Sequence, residues 1–209
     1  FIAPASAVCR VGGVPVFADI DDTMTVDPES VAELVTPRTR FLLPIHFTGH
    51  LADLARLREI AEAHDLVLLE DAAQAHAAIG PDGAPGAGTG GAAFSFQYSK
   101  NMTAGEGGII LAEDPEVVER CWEIIWHGRR KGGIWYEHFQ ATSNHRMTEW
   151  QAAVLLAQLG RLEGQTSRRI ESAAYLDRRL HEMDTGFAPS RVDARVLRHP
   201  RHLYVLRLD

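Results

Sequence analysis

Leu66-Val67-Leu68-Leu69-Glu70-Asp71-Ala72-Ala73-Gln74-Ala75-His76 is the stretch that decides the fold. Four apolar residues run without alternation and stop at a pair of acids followed by small residues. An unbroken apolar run of this kind is the pattern of a strand covered on both faces, as in a parallel sheet. Just before it, Leu54, Leu57, Ile60 and Ala61 fall at helical spacing within Leu51 to His64. Further upstream, Phe41 to His46 reads as a strand. Asp27-Pro28-Glu29 opens a helix that runs to about Thr36, with the aspartate as cap and the proline at the first helical position. Val14 to Asp19 reads as a short strand and Ser6 to Gly12 as a helix. Downstream come a glycine-rich segment, Gly80 to Gly91, and strands over Ala92 to Ser99 and Gly108 to Ala112. Three helices follow, Pro115 to Trp126, Thr148 to Leu162 and Gln165 to Met183, then a last strand, Leu203 to Leu208. Strands alternating with helices imply an α/β fold, a mostly parallel sheet sandwiched by helices. The stripe Ala152, Leu155, Leu156 and Leu159 reads as core rather than interface.

The totals narrow the function. The chain has 209 residues, 45% of them apolar, which suffices for one sizeable domain, or one domain with an appendage. A net charge of −7 argues against a nucleic-acid surface. No apolar run approaches the ~20 residues of a membrane span, and no basic-then-apolar leader opens the sequence. Cys9 and Cys121 alone do not make a disulfide framework, so the expected location is a reducing cytoplasm.

The chemistry lies at the strand ends. Phe94-Ser95-Phe96-Gln97-Tyr98-Ser99-Lys100-Asn101 closes on a single lysine, and the turn Thr103-Ala104-Gly105-Glu106-Gly107-Gly108 comes next. Parallel sheets place ligands outside the carboxyl ends of their strands. Asp71 after one strand and Lys100 after a later one can therefore meet at one edge. That pairing suits pyridoxal phosphate (PLP), which needs a lysine for its aldehyde and a carboxylate for its ring nitrogen. The small residues Ala72, Ala73 and Ala75 leave room for a flat ring. Taken singly, Asp71 reads as a solvated loop acid and Lys100 as a surface lysine; their shared setting is what favours the site. Gly86-Ala87-Gly88-Thr89-Gly90-Gly91 matches G-x-G-x-x-G by letter, but a strand comes after it where a dinucleotide fingerprint opens a helix. His46 and His50 stand four apart beside Pro44 and Gly49, without the glutamate of H-E-x-x-H, so no zinc site is expected.

These residues together resemble a family. Glu70-Asp71-Ala72-Ala73-Gln74-Ala75-His76, Phe94-Ser95-Phe96, Lys100-Asn101 and Ala104-Gly105-Glu106-Gly107-Gly108 look like the DegT/DnrJ/StrS sugar and cyclitol aminotransferases, of PLP fold type I. Val14 to Asp21, Thr36 to Thr39, Pro44 to His46 and Ser143 to Ala153 are similar to its other segments. The resemblance covers nearly the whole chain.

The resemblance implies a role for each site residue. Lys100 would hold PLP as a Schiff base and shuttle protons. Asp71 would pair with the pyridine nitrogen, Gln74 would bond the phenolic oxygen, and Ala73 would pack on a ring face. Ser95 would bind the phosphate, and Asn144 would reach that phosphate from the neighbouring subunit of a homodimer with shared active sites. Glu or Gln would donate the amine, and a keto sugar or keto cyclitol would accept it. By the same resemblance, Phe96-Gln97, Met102-Thr103 and Trp135-Tyr136-Glu137-His138 lean toward the cyclitol branch. An aromatising dehydration resembling 3-amino-5-hydroxybenzoate synthase stays open, as does a non-catalytic member acting as a binding partner. Residues 1–163 would form the PLP-binding large domain, and 164–209 a linking helix and the start of a small domain. Further sequence would precede Phe1, with a Gly-Thr turn for the phosphate, and continue past Asp209; a break near Met183-Asp184 is also allowed.

Overall fold

The computed structural model describes residues 1–183 and 186–208, so Asp184, at the allowed break, lies outside the described residues. The elements, in chain order, are α1 (Ile2–Arg10), α2 (Pro28–Leu34), β1 (Phe41–Leu42), a 3₁₀ turn over Phe47–Gly49, α3 (Leu54–Ala63), β2 (Val67–Asp71), β3 (Gly91–Ser95), β4 (Gly108–Leu111), α4 (Pro115–Ile125), α5 (Glu149–Met183), β5 (Phe187–Pro189) and β6 (Leu206–Leu208).

The main sheet has the order β1-β2-β3-β4. β1, β2 and β3 are parallel, and β4 returns antiparallel to β3. The register pairs Asp71 with Ala93, so the end of β2 and Ser95, at the end of β3, share the carboxyl edge. One apolar cluster joins Leu42 and Leu68 of the sheet to Leu57, Ile60 and Ala61 of α3, with Val31 and Val35 packed on it. A second holds Ala72, Ala75, Ala78 and Ala92. A third seats Leu155 of α5 on Phe96 and Met102. The helix caps are aspartates, Asp27 as the sequence announces and two more that it did not single out: the side chains of Asp27, Asp53 and Asp114 accept N–H groups of the first turns of α2, α3 and α4.

Four expectations need correction. Val14 to Asp19 is not a strand; Val14 and Val16 are 85% and 68% exposed, and the only pairing nearby is a bridge between Ile20 and Val26. An apolar run becomes a strand only where another strand pairs with it, and Pro15 offers no N–H. The helices expected over 148–162 and 165–183 are one helix of 35 residues, α5, with Gly160 and Gly164 inside it. In the expected core stripe, Leu155 is buried, while Leu156 and Leu159 are 72% and 56% exposed. The closing strand is only three residues long and pairs antiparallel with β5, which the sequence pattern did not disclose.

Candidate cofactor and catalytic site

Pleating sends successive side chains of a strand to opposite faces. On β2, Leu68 and Glu70 turn inward and are buried, and Asp71 is half-buried at the strand end. The Asp71 Oδ1 accepts the Ala73 N–H at 3.0 Å, and Oδ2 has no hydrogen-bond partner among the described residues. Its main chain is gripped by the preceding crossover: the Asp71 N–H donates to Pro44 O at 2.9 Å, and the His46 N–H donates to Asp71 O at 3.0 Å. Gln74 is buried, and its Oε1 accepts the Thr48 N–H at 2.6 Å. That bond orients the amide, leaving its NH₂ to face other groups. Thr48 holds φ 61° to make it. Beside it Gly49 sits at φ +95°, where a Cβ would lie 3.0 Å from Gln74 O and 2.7 Å from Pro200 Cγ. Only glycine allows so close an approach at that dihedral.

The second half of the site hangs from β3. Ser95 Oγ accepts the Gln97 N–H at 3.2 Å, and the Lys100 N–H closes a turn onto Gln97 O at 2.9 Å. The Lys100 ammonium makes no hydrogen bond or ion pair among the described residues. α5 fixes the loop beyond it. Thr148 and Gln151 form a reciprocal cap at its start, and Gln151 Nε2–H donates to Glu106 O at 2.7 Å. Gln158 receives the Thr103 N–H on its Oε1 at 3.0 Å and donates back to Thr103 O.

Histidines crowd this edge. His76 is 3% exposed, lies against the Phe94 and Phe96 rings, and neither ring nitrogen has a hydrogen-bond partner among the described residues. Burial, then the neighbouring His202 and Lys100, hold its pKa down to about 4. The His202 Nδ1–H donates to Asn101 Oδ1 at 3.2 Å, and burial and Lys100 lower its pKa to about 4 as well. Both imidazoles are therefore neutral near pH 7.

Asp71 and Ser95 end β2 and β3 at the same carboxyl edge, with Ala73 and Gln74 in the turn after β2 and Lys100 closing the turn after β3. Asn144 makes no hydrogen bond to any of them among the described residues. It is exposed, in the loop between α4 and α5, bridged to Trp126, with its Oδ1 accepting the Arg146 N–H at 3.1 Å. Sequence reasoning missed Thr48, Gln151 and Gln158 as orienting groups, and His76 and His202 as neighbours of the lysine. Of these, only the capping box at Thr148-Glu149-Trp150-Gln151 carries a signal in the sequence.

The whole chain, residues 1–209, matches the DegT/DnrJ/EryC1/StrS aminotransferase family model. The chain belongs to this family. It is 38% identical over 224 aligned residues to the L-glutamine:2-deoxy-scyllo-inosose aminotransferase of Streptomyces kanamyceticus, covering all of this chain and 51% of that protein. It is 43% identical over 176 residues to the dTDP-3-amino-3,4,6-trideoxy-alpha-D-glucose transaminase of Streptomyces venezuelae, covering 83% of this chain and 46% of the other. The crystal structure of 3-amino-5-hydroxybenzoic acid synthase superposes with a TM-score of 0.94 at 39% identity, over all of this chain and 55% of that one. A Bacillus subtilis family structure with bound cofactor PMP gives 0.88 at 27% identity, over all of this chain and 47% of its own. The chain spans about half the length of the curated relatives it matches. The family is PLP-dependent.

The residues present fit that cofactor. The Lys100 amine is unengaged, Asp71 Oδ2 is open, the Gln74 NH₂ is left over once Oε1 is taken, and alanines rather than bulky groups flank the edge.

Proposed function

We propose that this chain carries the PLP site of an aminotransferase that moves an amino group from Glu or Gln to a keto cyclitol or small keto sugar, in the biosynthesis of an amino-containing natural product. The observation that carries it is the unpaired Lys100 at the same sheet edge as Asp71. When bound, PLP supplies an aldehyde for an amine and a ring that accommodates the electron pair left by removal of a C–H proton. The protein does the rest. Lys100 Nζ would hold the aldehyde and, when free, would carry the proton between carbon atoms. Asp71 would set a negative charge beside the ring nitrogen and favour its protonated form. Gln74 would offer its amide N–H to the phenolic oxygen, Ser95 its hydroxyl hydrogen to the phosphate, and Ala73 a small face for the ring. Asn144 serves the phosphate of the neighbouring subunit, so the working unit is a homodimer. Residues 1–163 form the PLP-binding part and 164–209 begin a smaller one, with α5 running through the junction.

No helix among the described residues is long and apolar enough to cross a membrane. Cys9 and Cys121 are free thiols, which suits the cytoplasmic location included in this proposal. The names of the relatives favour the cyclitol acceptor, and the likeness to 3-amino-5-hydroxybenzoic acid synthase keeps an aromatising dehydration as the second reading.

The test is a half-reaction. PLP-loaded protein is mixed with Glu, Gln or Ala, and the cofactor absorbance should fall with Glu or Gln. Acceptors are then offered as keto cyclitols and as nucleotide-linked keto sugars. Turnover of the nucleotide-linked sugars alone would overturn the cyclitol preference. An aromatic product would establish the second reading, and no spectral change with any amine would sink both.

A further inference from the structure

Glu70 is a fully buried acid beside the functional one, and four hydrogen bonds define its setting. The Gly86 N–H donates to its Oε1 at 2.9 Å and the Thr89 hydroxyl to the same oxygen at 2.5 Å. His46, also fully buried, donates its Nε2–H to Oε2 at 2.7 Å. The Ala52 N–H donates to His46 Nδ1 at 3.2 Å, so Nδ1 holds the lone pair and Nε2 the proton. The His46–Glu70 bond is thus fixed in direction from both ends.

Packing alone does not call for an acid here, since Leu68 covers the same face of β2 with an apolar side chain. A buried carboxylate is costly unless every lone pair is met, and what it adds over an apolar residue is specificity of geometry. The geometry concerned is that of Asp71. His46 reaches the Glu70-Asp71 dipeptide twice, by its side chain to Glu70 and by its N–H to Asp71 O. Ile45 bridges Asp71 in parallel register, and Thr48 binds Gln74. One segment, residues 44–48, therefore holds the peptide of Asp71 and the side-chain amide of Gln74.

We propose that His46 is a positioning residue: through its hydrogen bond to Glu70 it fixes the peptide that carries Asp71, and with it the direction in which the Asp71 carboxylate meets the ring nitrogen of PLP. The inference rests on the proposed function. His46 is fully buried and acts through Glu70. A displacement of about 1 Å at a charge partner is enough to cost on the order of a hundredfold in a preorganised site.

Two variants separate positioning from plain stability, because each deletes a different bond of His46. His46→Gln sets an amide N–H near the position of Nε2, keeping the bond to Glu70 and losing the one from Ala52. His46→Asn sets an amide oxygen near Nδ1, keeping the bond from Ala52 and falling short of Glu70. The readouts are the PLP dissociation constant, the pH midpoint of the bound-cofactor absorbance, and the urea midpoint of the apoprotein. His46→Asn should weaken PLP binding at least tenfold and move the absorbance midpoint. His46→Gln should stay within twofold in affinity with an unmoved midpoint, although both variants lose stability. Equal cofactor behaviour in the two, or a worse His46→Gln, overturns the proposal. If His46→Asn does not fold, His46→Gln decides alone: parent-like affinity supports the proposal and a tenfold loss overturns it. A parent protein with no cofactor band sinks the proposed function itself, an outcome distinct from equal variants on a parent that binds PLP.

Discussion

At the scale of single residues, two adjacent acids do different work, and the sequence alone shows only one of them. Asp71 was legible because it comes after a buried run and before small residues. Glu70 was not, because its partners come from residues 46, 86 and 89, which only the parallel register and the glycine loop bring together. Asp71→Asn tests the ring partner. The amide keeps the shape and removes the charge, so the chemical step should slow by about a hundredfold to a thousandfold, the usual cost of removing one preorganised charge partner. A rate within twofold of the parent would remove Asp71 from that role. His76 supplies a pH prediction. Its pKa is near 4 in the folded chain and near 6.5 when unfolded, so between those values the unfolded chain binds a proton that the folded one does not. Stability therefore falls as pH drops through this window and is fully kept above it. At pH 5 the His76 share is about 2 kcal/mol. Urea midpoints at pH 7 and pH 5 should drop less in His76→Leu than in the parent, and equal drops would mean that His76 is not held neutral.

Among elements, sequence distance to the partner does not decide legibility: β2 and β3 pair across a span similar to that of β5 and β6, yet β5 was not expected. α2 begins at the aspartate cap expected for it, and α3 begins at Leu54, inside the stretch expected from Leu51. β2 and β3 hold because each apolar run lies beside another parallel strand. Val14 to Asp19 has the composition of a strand and none of the pairing. Separate helices were expected over 148–162 and 165–183, yet α5 runs through Gly160 and Gly164, with Leu155 packed and Gln151 and Gln158 bonded to the loop beyond Lys100. Glycine weakens a helix interior by roughly 0.5–1 kcal/mol relative to alanine, mostly through backbone entropy. A Cβ at Gly160 or Gly164 would meet nothing within 4 Å. Gly160→Ala and Gly164→Ala should each stabilise the chain by about that amount in urea unfolding. A destabilised variant would show that another surface covers these glycines.

For the molecule as a whole, the exposed side of α5 and the exposure of Asn144 bear on the same question. Trp150, Leu156 and Leu159 are 85%, 72% and 56% exposed on a helix whose other side is packed, so the expectation of a core stripe holds only for Leu155. Asn144 is exposed in the loop leading into that same helix, and its NH₂ group has no hydrogen-bond partner among the described residues. A periodic stripe shows that a helix buries a face but not against which chain, which is why this part was illegible. If Asn144 completes the site of a second copy, a two-fold pair repeats the contact and each site draws on both chains. Complementation tests this with two inactive proteins. Lys100→Ala lacks the amine that binds the aldehyde and should not transaminate, although some PLP should still bind non-covalently. Asn144→Ala should bind PLP weakly. Mixed under conditions where subunits exchange, they form heterodimers in which one site is wild type at both positions and the other lacks both residues. Activity should return to at most about a quarter of the parent level, since half the dimers are mixed and each of these has one intact site. Subunit exchange, weakened PLP binding in Asn144→Ala and no recovered activity would together rule out the shared site.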